Sequence, residues 1–141
     1  MTEIQIPIDS IQADQNHRRD VITKLVSFGN FDDLREMGIE IIEEEGRPGE
    51  SCYEAAFSLS SHPRDILSRV IRTWQTVDIP QPDDVVIYIN KRSGAVTHVG
   101  RVIEGDKVRS RWGLGGILCE YPPLDVPIYC GKEIEVVYYR E

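Results

Sequence analysis

At 141 residues, 40% of them hydrophobic and 28% charged, the chain suits one folded domain with a real core and not a disordered tail. Its net charge of -8 argues against nucleic acid as an electrostatic partner, and no run of 18 apolar residues is present to cross a membrane as a helix. Met1-Thr-Glu-Ile-Gln-Ile-Pro7 lacks the basic and apolar parts of a secretory leader, and Cys52, Cys119 and Cys130 have no metal-type spacing. The expected setting is therefore a reducing cytoplasm, or delivery as an effector by another route, with no metal, no cofactor and no disulfide.

In chain order, Ile4, Ile6 and Ile8 alternate and predict an edge strand over residues 2–8, weakened by Pro7. Val21, Ile22, Leu25 and Val26 share one face of a predicted helix over residues 16–28, ended by Gly29. Asn30 caps a short helix through Leu34 to Met37, which Gly38 ends. Ile39, Ile41 and Ile42 form an apolar patch of either type, followed by a solvated hinge, Glu43-Glu-Glu-Gly-Arg-Pro-Gly49. Residues 1–46 thus read as an N-terminal helical cap on a core of residues 47–141, within a single domain of residues 1–141.

Ser51 followed by Glu54 is a capping box, so a helix starts at Cys52 and presents Cys52, Ala55, Ala56 and Leu59 on one face. A helix start carries unpaired N–H groups, which favour a thiolate over a thiol; the other reading of Cys52 is a buried apolar filler, the usual use of a free cysteine. Pro63 opens a second helix whose stripe is Ile66, Leu67, Val70, Ile71 and Trp74. His62 at its start and His17 in a polar stretch are read as capping or surface groups.

Residues 84–89 predict a central strand, apolar on both faces, followed by a polar loop over residues 90–94. His98 lies in the next strand, over residues 95–103, and Ser110 in the one after the turn Glu104-Gly-Asp106. An even separation across a three-residue turn places His98 and Ser110 on one face of neighbouring strands. Arg109 and Arg111 point the other way, as a solvated face or a small basic patch for a carboxylate. Trp112 and Gly113 begin a glycine-rich turn, residues 117–121 form a short strand, Pro122 to Pro127 crosses the surface, and residues 133–139 close the sheet.

A cysteine at a helix start, a histidine on a strand and a polar group on the next strand make a nucleophile, a base and an orienting group. Across residues 49–139 the chain resembles the NlpC/P60 cysteine peptidases, a branch of the papain-like fold. The likeness rests on the helix-borne Cys52, on Pro82-Asp-Asp-Val-Val-Ile-Tyr88, on His98-Val99-Gly100 and on Ser110 twelve residues later. Where the family has Asp-Cys-Ser-Gly, this chain has Ser51-Cys52-Tyr53-Glu54; it has no tyrosine before Tyr53, and its third residue is serine. The resemblance implies an α+β fold with a papain-like core, N-terminal helices including the cysteine helix packed on an antiparallel sheet.

It also implies a thiol-dependent hydrolase or acyl-transfer enzyme acting on peptide or peptidoglycan-like amides. Cys52, His98 and Ser110 are then catalytic, with Tyr53, Trp112 and Gly113 as candidates for the substrate cleft. The alternative is a non-catalytic binding or effector module on the same fold, which would meet a protein partner through a degenerate site.

Overall fold

Apolar residues on both faces of a strand require cover on both sides, and the chain supplies it with two pairs of helices. The computed structural model describes residues 8–57, 62–113 and 116–141. Its helices are α1 (Ile8–Ser27), α2 (Phe31–Glu36), α3 (Cys52–Ala56) and α4 (Pro63–Thr73). Its strands are β1 (Glu40–Glu43), β2 (Gln75–Val77), β3 (Val85–Asn90), β4 (Val96–Ile103), β5 (Lys107–Arg111), β6 (Leu118–Tyr121) and β7 (Ile134–Arg140). The chain is α+β, with one seven-stranded sheet in the order β1-β6-β5-β4-β3-β7-β2, every pair antiparallel.

The front face carries Val86, Tyr88, Val102, Val108, Cys119 and Tyr121, and is covered by Ile22 of α1, Leu34 of α2 and Ile39. The back face carries Val85, Ile87 and Val99, covered by Ala56 and Phe57 of α3 and by Leu67 and Val70 of α4. Burial of these side chains is the main stabilising contribution, at roughly 1.5–3 kcal/mol for each large one fully removed from water.

Residues 40–43, the patch that local pattern leaves undecided, become the edge strand β1, paired with β6. The N-terminal segment therefore shares the front core. Arg19 of α1 is buried and donates to the carbonyls of Val126, Pro127, Gly131 and Lys132, tying α1 to the chain that leads into β7. β7 lies between β3 and β2, not at the margin of the sheet. The edge strand expected over residues 2–8 falls on residues outside the described set up to residue 7, and Ile8 begins α1. No helix among the described residues is long and apolar enough to cross a membrane.

Candidate functional site

Ser51 and Glu54 form the capping box: the Glu54 carboxylate accepts the Ser51 N–H at 2.8 Å and Ser51 Oγ accepts the Tyr53 N–H at 3.2 Å. The hydrogen bond to Ser51 holds the Glu54 carboxyl below its usual range. Cys52 follows as the first residue of α3 and is 7% exposed. Its sulfur meets the backbone N–H groups of Val99, Tyr53 and Cys52 itself.

The thiolate expected at this helix start is not what the surroundings favour. Burial pushes the Cys52 thiol up, and the three N–H groups oppose that shift without cancelling it. α3 is only five residues long, so its dipole is weak. Burial also pushes up Cys119 and Cys130, the latter to about 12, and all three cysteines are free.

The β4–β5 hairpin has the register that the sequence predicts, with Ile103 opposite Lys107, Val102 opposite Val108 and Arg101 opposite Arg109. One step further, Gly100 faces Ser110, where a Cβ on Gly100 would lie 2.6 Å from Val108 Cγ1 and 3.2 Å from Ser110 Cβ. This close approach brings His98 Nε2 to 2.7 Å from Ser110 Oγ. Both side chains are 1% exposed. Burial lowers the His98 pKa to about 3, so the imidazole is neutral at physiological pH.

Tyr121, on β6, completes the cluster. Its hydroxyl lies 2.5 Å from Ser110 Oγ and 3.3 Å from His98 Nε2. Tyr88, on β3, donates its hydroxyl to the Pro123 carbonyl at 2.5 Å. The rings of Tyr88 and His98 are 5.2 Å apart on adjacent strands. The sequence analysis missed both tyrosines. Alternation within residues 117–121 puts Tyr121 on the same face as Cys119, but nothing local says that this strand lies beside β5.

His98 and Ser110 are thus brought together, and Cys52 is set against the β4 backbone one residue beyond His98. His98 projects onto the front face with Tyr88 and Tyr121, whereas α3 packs on the back face. The thiol and the imidazole make no hydrogen bond with each other. Tyr53 is half-buried and stacks under the Arg64 guanidinium, 5.5 Å from the ring centroid. Trp112 is buried in the front core, its ring 5.0 Å from that of Tyr121, and does not form an open cleft wall. Gly113, at φ +83°, lies next to Tyr129.

Arg111 corrects the expectation of a solvated face. It is 1% exposed, donates to the Gly116 carbonyl at 2.7 Å and lies 3.4 Å from the Glu50 carboxylate and 3.6 Å from that of Glu43. Arg109 instead pairs with Glu120 on β6. A surface cavity of about 270 Å³ runs beside α3, lined by Ala55, Ala56, Asp83, Arg101, Ile103 and Arg109 among others; neither Cys52 nor His98 lines it. Among the described residues no group of three or more His, Cys, Asp or Glu side chains is placed to hold a metal ion.

No family model matches the chain, and neither does any of the curated proteins or solved structures compared with it.

Proposed function

We propose that this protein is a thiol-dependent hydrolase or acyl-transfer enzyme with a papain-like core, acting on peptide or peptidoglycan-like amide bonds. The observation that supports this reading is that α3, which Cys52 opens, packs on β4, the strand whose His98 lies 2.7 Å from Ser110. Cys52 is the nucleophile and His98 the base. Ser110 orients the imidazole through Nε2, joined by Tyr121.

The chemistry that fits a neutral thiol and a neutral imidazole is general-base attack, not a preformed ion pair. For this the imidazole has to turn from the front face toward the thiol; Nδ1 of His98 then takes the thiol proton as sulfur bonds the carbonyl carbon. The backbone N–H of Cys52 donates to the oxyanion. Collapse breaks the C–N bond, and the protonated Nδ1 returns its proton to the leaving amine. Water then hydrolyses the thioester, with His98 as base again. Three free thiols fit a reducing cytoplasm as the setting of this chemistry.

A second reading, a binding or effector module that meets a protein partner, is favoured by the lack of a hydrogen bond between Cys52 and His98 and by the burial of both. Iodoacetamide labelling near neutral pH, with the adducts mapped, separates the two. Selective labelling of Cys52 that is lost in His98→Ala supports the enzyme. Equal or absent labelling of all three cysteines overturns it in favour of the module.

A further inference from the structure

Arg101 stands opposite Val85, a residue of the back face, and alternation turns Ile103 to that same side, where α3 packs. Arg109 is the direct cross-strand partner of Arg101, so the two Cβ atoms lie about 5 Å apart. Like charges placed directly opposite each other destabilise a sheet. Glu120 answers the charge of Arg109, accepting from its Nε at 2.7 Å and also from its Nη2. Arg101 has a carbonyl instead: its Nη2 donates to the Asp83 oxygen at 2.7 Å, which satisfies a donor but not the charge.

Both arginines line the surface cavity of about 270 Å³ beside α3, with Ala55, Ala56 and Ile103 as its apolar wall. Asp83 joins the lining from a strained turn. It is held at φ +75°, a region that residues with a side chain rarely adopt, with its N–H on the Val102 carbonyl at 2.9 Å and its own carbonyl on Arg101. Two positive charges and one negative leave this lining with a single positive excess. We propose that the cavity is a binding site for a carboxylate on a small aliphatic body, the C-terminal residue of a peptide or a free short-chain acid, held between Arg101 and Arg109. A planar guanidinium matches a carboxylate through paired N–H···O bonds, and the one excess charge matches one negative charge. A phosphate dianion would set its second charge against Asp83. Ala56 lies one helical turn beyond Cys52, so in the enzyme reading the cavity takes the carboxylate end of a peptide whose amide meets the thiol. The site itself does not rest on that reading, because a module that only holds an acidic chain end uses it equally.

The test is a titration of the full chain, uniformly labelled with nitrogen-15, followed by proton–nitrogen correlation NMR at low salt. The probes are N-acetylalanylalanine as the free acid, the same compound as its amide, propionate and inorganic phosphate. Both carboxylates are expected to give saturable shifts at Ala55, Ala56, Ile103 and the arginine Nε–H signals, with a dissociation constant in the millimolar range or tighter that weakens as salt is added. The amide is expected to give none. Tighter binding of the dipeptide acid than of propionate identifies a peptide end as the source, and the reverse order a free acid. Arg101→Met and Arg109→Met are each expected to weaken binding by about tenfold or more. Glu120→Gln, which removes the carboxylate now held by Arg109, is expected to tighten it.

Equal responses to acid and amide overturn the proposal, as does the lack of a saturable shift with either carboxylate, tighter binding of phosphate than of both, or an unchanged affinity in all three folded variants. Should the variants fail to fold, the comparison of acid with amide on the wild type decides. The titration reads binding and not turnover, so it is separate from the labelling of Cys52: carboxylate binding with an unreactive thiol supports the site and overturns the enzyme reading alone.

Discussion

The Cys52 thiol, pushed up by burial, is drawn partly back down by the backbone N–H of Val99. Val102 exchanges hydrogen bonds with the chain entering β3, so alternation turns the N–H of Val99 toward β5. The registered β4–β5 pairs stop at Arg101 and Arg109, and the next such partner would be Arg111. Cys52→Ala removes the acceptor and leaves a buried N–H, which costs roughly 1–3 kcal/mol. Cys52→Ser keeps an acceptor and is expected to cost less. Denaturant midpoints at unchanged m-value measure the difference, and equal costs for both variants would remove the sulfur from any such role.

The pH dependence of stability follows from His98. Its pKa is about 3 in the folded chain, against the ordinary 6.5 unfolded. Between these values the unfolded state binds a proton that the native state refuses. Stability is therefore full above about pH 6.5 and falls as the pH drops toward 3, by as much as roughly 5 kcal/mol at about 1.4 kcal/mol per pKa unit. Asp84, held low by its hydrogen bond with Arg140, loses stability in the same direction as it is protonated. Comparing unfolding free energies of the wild type and His98→Gln at each pH cancels that common part. The gap between them is expected to shrink as acid is added; a constant gap would mean that His98 titrates normally.

The parts of the site that were legible in the sequence are those set by local chemistry. Ser51 and Glu54 announce the start of α3 three residues apart. The spacing of His98 and Ser110 across a three-residue turn gives their shared face, because the side-chain period of a strand is two. What stayed hidden depends on which strands become neighbours. Tyr121 reaches Ser110 because β6 pairs with β5, and Tyr88 reaches His98 because β3 pairs with β4. Arg109 and Arg111 share a face by alternation but not an environment. Arg111 lies under the hinge carrying Glu43 and Glu50, and that fold-back is not encoded within β5. Pattern alone also overestimated the thiolate at Cys52, because capping shows N–H groups but not the depth of burial.

Gly100 sets how closely β4 approaches β5 beside the site. A methyl there would meet Val108 Cγ1 at 2.6 Å and the Arg109 carbonyl oxygen at 3.0 Å, and the second of these is backbone that cannot rotate away. Gly100→Ala is expected to destabilise by roughly 1–3 kcal/mol through overpacking and to lengthen the His98–Ser110 contact. Thermal unfolding measures the first effect. The appearance of ordinary titration in the His98 NMR signals measures the second. A variant as stable as the wild type would show that the strands have slack.

Arg111 provides the last test, because its partners do not match its needs. It is almost fully buried, lies near two carboxylates and one carbonyl, and its Nε has no hydrogen-bond partner among the described residues. Glu50 and Glu43 also face Arg47, which is exposed. Removing Arg111 leaves Glu50, itself largely buried, with only that exposed partner. Arg111→Met is therefore expected to cost about 3–5 kcal/mol, as for other buried pairs broken on one side. Arg47→Met removes a surface pair and is expected to cost at most about 1 kcal/mol. In Arg111→Met combined with Glu50→Gln no full charge is left at position 50, so much of the loss should return. A double-mutant cycle in denaturant reads that recovery as a coupling energy, and independent, additive losses would show that Arg111 acts by packing rather than by charge.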